Sequence, residues 1–462
     1  MAQGFSQVPG DDYLETFSPT IRGESLRTLL AIAAYDDLEI RQIDVVSAYP
    51  RSELHAEVYM RPPQGLKCPE GTVLRIKKSL YGLKQSGREW YIEACKGLGE
   101  LGLEPLFSEP SIFATPDRKL IIGLYVDDML ILSKDPRIIE NTVSHIKKRW
   151  AIKDMGNAHY ILGLRIHRDR KRRLLSLDQR PYIEQMLKRF KLDKAKPCPT
   201  PASSWDALLR GKADEPLADQ SLFQQGIGSL NWLTICSRPD ISYSCNMLAQ
   251  SCNKPTVRNW NGVIHLMQYI SGTKDLRLWY GGYGNIEIPE PLRGLRGGFD
   301  HRLLGFCDAD HAGDETDRKS VSGHLFMLNR GPITWTSSKQ RCVATSTAEA
   351  EYIALAEAAK QGQWVRTLLL ELRKHELLGP DQAVRTFNDN QACLTIATDL
   401  VAHRRTKHID IRYHYSRQLI ATGKMTVSYL PTHDMLADIL TKPLPLQPLK
   451  RCIRNYLIAP AN

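Results

Sequence analysis

Hydrophobic and polar positions along this chain switch repeatedly between helical and strand-like periods. Between Ser25 and Leu38, Leu26, Leu29, Leu30 and Ala33 fall at helical spacing after a turn-rich start over 1–23. The run 39–48 then reads as a strand. Beyond a loop with Pro62-Pro63, 72–80 is strand-like and Gln85 to Leu101 is helical. Residues 111–115 and 120–134 predict antiparallel strands, with Pro116-Asp117-Arg118-Lys119 supplying the turn chemistry between them. A helix follows over 136–149, a strand from Tyr160 to Ile166, and a basic amphipathic helix from Gln179 to Phe190. The segment 195–220 carries Pro197, Pro199, Pro201 and Pro216 and reads as a linker. A mostly helical region spans 221–275, a Gly- and Pro-rich loop spans 281–300, and a second α/β unit runs from Leu303 to the end.

One stretch breaks the usual segregation of charge from apolar sequence. It runs Ile121-Ile122-Gly123-Leu124-Tyr125-Val126-Asp127-Asp128-Met129-Leu130-Ile131-Leu132. Burying paired carboxylates there is costly unless a cation or a hydrogen-bond network compensates. The simplest reading is a hairpin with both aspartates near its tip, aimed at divalent metal. The other doublets, Asp11-Asp12 and Asp36-Asp37, lie in a turn-like start and near a helix end. A third carboxylate, Asp44, sits in the strand-like run Glu39 to Val46. Three carboxylates on neighbouring strands can hold a pair of Mg²⁺ ions for phosphoryl transfer.

Bulk composition changes the picture modestly. The chain has 462 residues, enough for two or three domains, and is 42% hydrophobic and 24% charged, as in ordinary globular proteins. Its net charge is +11. Residues 141–200 hold 16 basic and 5 acidic side chains, so they account for the whole excess. Such a stretch beside a metal site suits a nucleic-acid backbone; the bland alternative is a solvated helical face. The 10 cysteines include no Cys-x-x-Cys pair, which excludes a zinc ribbon or thioredoxin motif and suggests reduced thiols in an intracellular protein. No apolar run is long enough to cross a membrane, so no membrane partner is expected.

Seven segments together resemble a known family. They are Tyr13-Leu14-Glu15-Thr16-Phe17-Ser18-Pro19, Gln42 to Tyr49, Ser79-Leu80-Tyr81-Gly82-Leu83-Lys84-Gln85, Tyr125-Val126-Asp127-Asp128, Leu303 to Asp310, Ser346 to Tyr352, and Arg405-Thr406-Lys407-His408-Ile409-Asp410. In this order they resemble the Pol polyprotein of copia-type LTR retrotransposons: a reverse transcriptase followed by a ribonuclease H. The implied fold class is α+β, a right-hand polymerase followed by an α/β ribonuclease H-like domain. The expected domains are 1–195 (reverse transcriptase with truncated fingers, palm and thumb), 196–300 (linker and connection) and 301–462 (ribonuclease H-like).

The resemblance implies that Asp44, Asp127 and Asp128 are the palm metal ligands, Asp128 lending support as much as binding metal. Tyr49 stands at the family's sugar-gate position, where a ring would disfavour a 2′-hydroxyl; taken alone it reads as core. Gly82, Lys84 and Gln85 fall in the template and nucleotide contact motif, with an ordinary strand-to-helix turn as the bland reading. Tyr160-Ile161-Leu162-Gly163 resembles the primer grip, and Lys171 to Lys196 the thumb. In the nuclease unit, Asp308, Glu351, Asp389 and Asp438 are the implied metal ligands, from strand, helix, strand and helix. Ser346 and Glu349 make a capping box for the helix that bears Glu351. Asp310, Glu349 and Glu357 are rivals, and Asp389 alone could be a solvated turn. His403, His408 and His414 could suggest zinc, but Arg404, Arg405, Lys407 and Arg412 favour phosphate instead.

The implied cofactor is Mg²⁺, two per active site, with Mn²⁺ as an alternative. The implied partners are an RNA template, a DNA primer, the RNA–DNA hybrid and dNTPs, with Gag and integrase of the same element. The expected location is cytoplasmic, in virus-like particles, or nuclear. Some positions depart from the family: Pro50-Arg51-Ser52 replaces Leu-Asn-Gly, Gly87 replaces Pro, and His311 replaces Trp. The chain begins at Met1-Ala2-Gln3-Gly4-Phe5, past the family's basic fingers strand, so weakened polymerase activity is expected. The alternatives are a catalytically weak nucleic-acid-binding remnant and a nuclease alone.

Overall fold

The computed structural model describes residues 2–212, 214–282, 301–313, 317–399 and 411–459. The chain divides into two compact units. One comprises Met1–Leu26, Asp36–Ala158 and Glu371–Arg373; the other comprises Arg27–Tyr35, His159–Leu370 and Lys374–Asn462.

The first unit is built on a six-stranded antiparallel sheet. Helix α1 (Gly23–Asp36), whose residues Arg27–Tyr35 belong to the second unit, leads into β1 (Glu39–Val45). A separate ribbon pairs β2 (Glu53–Met60) with β3 (Leu74–Lys78). Helix α2 (Ser86–Gly99) is followed by β4 (Glu104–Pro105), β5 (Ile112–Ala114), β6 (Leu120–Tyr125), β7 (Asp128–Ser133), α3 (Pro136–Arg149) and β8 (Ile152–Asn157). The sheet order is β4-β5-β6-β7-β1-β8. Period-two alternation sends Ile43 and Val45 of β1, Ile122 and Leu124 of β6, and Met129 and Ile131 of β7 into one core. Trp90, Ala94 and Leu98 of α2 and Ile139, Val143 and Ile146 of α3 meet them there. Each such buried aliphatic side chain contributes about 1.5–3 kcal/mol. Helix α3 starts cleanly because the Asp135 side chain accepts from Arg137 N at 2.9 Å and Pro136 opens the first turn. It closes on Lys147, Lys148 and Arg149, the charge pattern a helix C-terminus favours.

Two sequence expectations need correction. The run 120–134 is two strands, β6 and β7, not one, and Val126-Asp127 between them form the tip of the hairpin expected at the aspartate doublet. The apolar run contains no Pro or Gly at that point. The chain turns instead at Val126, whose φ of 50° is left-handed. A β-branched residue rarely takes that conformation. The run from Tyr160 to Ile166 is likewise a tight hairpin of β9 (Tyr160–Ile161) and β10 (Leu164–Asp169), turning at Leu162-Gly163.

The second unit holds two five-stranded sheets. One has the order β18-β12-β11-β10-β9, with β11 (Leu174–Asp178), β12 (Arg277–Gly281) and β18 (Leu457–Ile458), all pairs antiparallel. The basic helix α4 (Arg180–Arg189) buries Ile183, Met186 and Leu187 and ends on Lys188 and Arg189. Described residues of the stretch that reads as a linker run beside the helix Val257–Gly272: Cys198 N donates to Gln268 O at 3.4 Å, and Asn259 Nδ2 to Leu209 O at 2.8 Å.

The other sheet has the order β15-β14-β13-β16-β17. Strands β13 (Leu304–Asp310), β14 (Val321–Leu328) and β15 (Gly331–Lys339) form an antiparallel meander. The 25-residue helix Thr347–Glu371 then crosses to β16 (Val384–Asn388), which lies parallel to β13, and β17 (Met425–Tyr429) adds a further parallel strand. That helix is buried on nearly every side from Glu349 to Ala359, not on one stripe. All eight residues of β14 are buried too, so this sheet is covered on both faces.

Candidate active sites

In the first unit the core alternation leaves the other face of the sheet for carboxylates. Ile43 and Val45 point inward, so Asp44 points the opposite way. Asp44 lies directly across the β1–β7 ladder from Asp128, and directly opposed residues share a face. Asp127 sits in the turn. Its carbonyl accepts from Val45 N at 2.8 Å, and Trp90 Nε1 donates to Val126 O at 2.7 Å. The turn is therefore pinned on both sides. All three aspartates are half-buried.

Each of the two doublet carboxylates has a polar side chain on it. Tyr81 Oη donates to Asp127 Oδ2 at 2.9 Å, and Gln42 Nε2 to Asp128 Oδ1 at 3.2 Å. Burial pushes the Asp127 carboxyl up; the Tyr81 hydrogen bond opposes this, and the charges of Asp44 and Asp128 add to it. Burial and the Asp44 charge likewise raise Asp128. The Tyr81 hydroxyl is pushed up to about 12 by burial and by Asp127. Its ring stacks on Tyr49, with centroids 4.4 Å apart. Tyr81 falls in the segment Ser79 to Gln85, yet no spacing in the sequence marks it as an Asp127 partner.

The contact motif is placed differently from the aspartates. Gly82 has φ +104°, and a Cβ there would lie 2.0 Å from Ala2 O. What approaches Gly82 is the chain's own backbone. Lys84 N donates to Gln7 Oε1 at 2.7 Å, while its side chain is exposed. Gln85 is buried, and its amide group is engaged by Gln7 and by Asp12 O.

In the second unit, Asp308 ends the apolar part of β13 and Asp389 follows β16 directly. These strands are parallel with Phe306 opposite Phe387, so both aspartates stand two residues beyond the same rung. Asp438 comes from a 3-10 turn, Leu436–Leu440, rather than the helix expected. That turn presses onto β14 at Gly323, where a Cβ would meet Thr441 Cγ2 at 2.7 Å and Leu440 Cβ at 2.8 Å. A glycine across the ladder from Asp308 is what admits Asp438 to the site. Carboxylate oxygens of Asp308, Asp389 and Asp438 lie within 4.8 Å of one another, the one such set among the described residues.

Glu351 stands outside that set, at the buried side. Its Oε2 accepts from Asn388 Nδ2 at 2.9 Å. Burial first, then the Asp308 charge, pushes the Glu351 carboxyl well up, and the same two causes raise Asp438. Burial raises Asp389 as well, and Thr432 Oγ1 donates to it at 2.7 Å. Thr441 Oγ1 donates to Asp308. Among the rivals, Asp310 is pushed up to about 6 by burial, against a backbone hydrogen bond from Gly313. Glu349 is engaged in capping: Ser346 Oγ accepts from Glu349 N at 3.2 Å, and the Glu349 carboxylate takes Thr345 N and Oγ1. His403 and His408 lie outside the described residues, as do Arg404, Arg405 and Lys407; His414 Nδ1 pairs with Tyr352 Oη at 3.0 Å.

The donor chemistry of both sites suits a hard divalent cation. The candidate ligands are carboxylate oxygens with no thiolate or imidazole among them, which favours Mg²⁺ or Mn²⁺ over zinc.

Residues 1–204 match the family described as reverse transcriptase (RNA-dependent DNA polymerase). The Pol polyprotein of transposon TNT 1-94 from Nicotiana tabacum is 34% identical over 462 residues, covering 98% of this chain and 33% of that protein. Over nearly its whole length the chain is similar to Pol polyproteins of retrotransposons. The Pol polyprotein of transposon RE1 from Arabidopsis thaliana is 36% identical over 448 residues, covering 96% of this chain and 29% of that protein. This Pol homologue thus spans about a third of the length of the curated relatives it matches. An N-terminal RNase H domain from Mycobacterium tuberculosis aligns with 34% of this chain and 98% of its own at 10% identity, with a TM-score of 0.21, too low to bear on the fold. The resemblance carried by the seven signatures is borne out, and the match to the reverse transcriptase family falls on residues 1–204.

Proposed function

We propose that the chain is an RNA-directed DNA polymerase that also hydrolyses the RNA of RNA–DNA hybrids, each reaction at its own divalent-metal site. The observation that carries the reading is the pair of carboxylate constellations, one around the β6–β7 turn and one at the ends of β13 and β16. Asp44, Asp127 and Asp128 would hold metal in the first; Asp308, Glu351, Asp389 and Asp438 in the second. Bound there, divalent metal would activate the attacking oxygen, a primer 3′-hydroxyl in one site and water in the other, and would offset charge at phosphorus.

The chain's own residues prepare both sites. Tyr81 and Gln42 hydrogen-bond to the carboxylates of Asp127 and Asp128 and would orient them, and Tyr49, stacked on Tyr81, would meet the sugar of an incoming dNTP. Asn388 and Thr441 orient Glu351 and Asp308. The basic stretch from Lys171 to Lys196 would grip phosphates of the primer–template duplex. A nuclease-only reading is favoured by one observation: among the described residues, the tight three-oxygen set forms in the second unit alone.

The test is a pair of gel assays on one preparation of the purified chain. One scores DNA extension of a primer on an RNA template, and the other scores RNA cleavage in a preformed hybrid, each with and without chelator. Both activities should require Mg²⁺ or Mn²⁺. Folded protein that does neither would overturn the proposal, and cleavage without extension would select the nuclease-only reading.

A further inference from the structure

Three carboxylates gathered in a largely buried cage repel one another unless a cation is present. This chain supplies one. Lys442 Nζ lies 3.0 Å from Asp438 Oδ1 and 3.8 Å from Asp308 Oδ2. Its position is built, not incidental. Lys442 N donates to Asp438 O at 3.1 Å, closing the turn that carries the aspartate, and Pro443 follows. Thr441, between them, donates to Asp308. The side chain is 37% exposed, so the ammonium sits at the mouth of the cage with a route out to solvent. Among the described residues, no ion pair reaches Asp44, Asp127 or Asp128 in the other unit; that half-open site manages with a tyrosine and a glutamine.

Resting on the reading of the Asp308 cage as a metal site, we propose that Lys442 is a displaceable counter-ion: it holds the Asp308–Asp438 pair together in the metal-free chain, and a divalent ion entering the cage must release its ammonium. Two effects of opposite sign follow. Removing the charge destabilises the empty cage, because the carboxylates are left facing one another. It also removes a competitor, so metal binds tighter. A residue with a merely structural role would lower stability without improving metal affinity.

The test uses the full chain carrying Asp44→Asn and Asp127→Asn, so that heat from Mn²⁺ titration reports the nuclease-type cage. Adding Lys442→Met should lower the melting temperature in chelator by roughly 2–4 °C. It should tighten Mn²⁺ binding roughly tenfold, the scale of one charge a few ångströms away in a screened site. Lys442→Arg, which keeps the charge, should stay near the parent in affinity. Equal or weaker Mn²⁺ binding by the Lys442→Met protein overturns the proposal while leaving the metal reading intact; absence of Mn²⁺ binding in parent and variant alike overturns both. A measurement on the unaltered chain removes any dependence on folding of the variant. Reductive methylation of Lys442, mapped by mass spectrometry against exposed Lys450, should be slow in chelator and faster in Mn²⁺. Unchanged or slower labelling in Mn²⁺ contradicts displacement.

Discussion

The two carboxylate sites solve one problem in two ways. Around Val126-Asp127 the aspartates are half-buried, sit in a turn, and are held by uncharged donors, Tyr81 and Gln42. At the ends of β13 and β16, Asp308 is 2% exposed, Glu351 3% and Asp438 8%, and a lysine is folded into the cage. Water screens the first set, so dipoles suffice. The second is dry enough to need an internal cation, because unscreened repulsion grows as the dielectric falls. Deeper burial fixes ligand geometry more firmly, but makes the empty site depend on its own counter-charge.

The largest expected effect separates the two sites outright. Asp308→Asn should cut hybrid cleavage on the order of 10³-fold with primer extension retained, and Asp127→Asn should do the reverse. The paired gel assays read both, and joint loss in either variant would break the comparison. Next in size is Gly323→Ala. Its Cβ would press on Thr441 and Leu440, costing about 1–3 kcal/mol and shifting the Asp438 turn. Denaturant melts should show the loss, with cleavage falling and extension spared.

A smaller effect is expected from Tyr81→Phe. It deletes one hydrogen bond to a carboxylate, and extension should slow roughly tenfold with stability little changed. An unchanged extension rate would mean that Tyr81 does not position Asp127. Smallest is Val126→Gly. Relief of the left-handed φ and the added freedom of the unfolded glycine nearly cancel, so stability should stay within about 1 kcal/mol.

What was legible in the sequence followed from local periodicity. Leu26, Leu29, Leu30 and Ala33 marked α1, and the apolar run into Asp308 marked β13, because those signals lie within a few residues of each other. Asp308, Asp389 and Asp438 come from the family resemblance, not from periodicity; they lie on separate segments, and their carboxylates converge. The supporting residues were hidden for physical reasons. Gly323 matters through what crosses it, Asn388 through a buried contact to Glu351, and Lys442 through a turn that reads as a helix end. The hairpin tip at the aspartate doublet is legible, but its turn at Val126 is not, because the stretch has no turn residue there: Trp90 and Val45 hold from outside a conformation that local preference disfavours. Gly82 reads as room for a base pair; it is exposed, and Ala2, distant in sequence, lies where its side chain would be.

Anomalous X-ray scattering from crystals of the full chain grown with Mn²⁺ tests the central claim most directly. Density is expected at Asp44, Asp127 and Asp128, and separately at Asp308, Asp389 and Asp438, with the Lys442 ammonium moved away from Asp438. Clear density at other residues, with both carboxylate sets lacking it, would contradict the account.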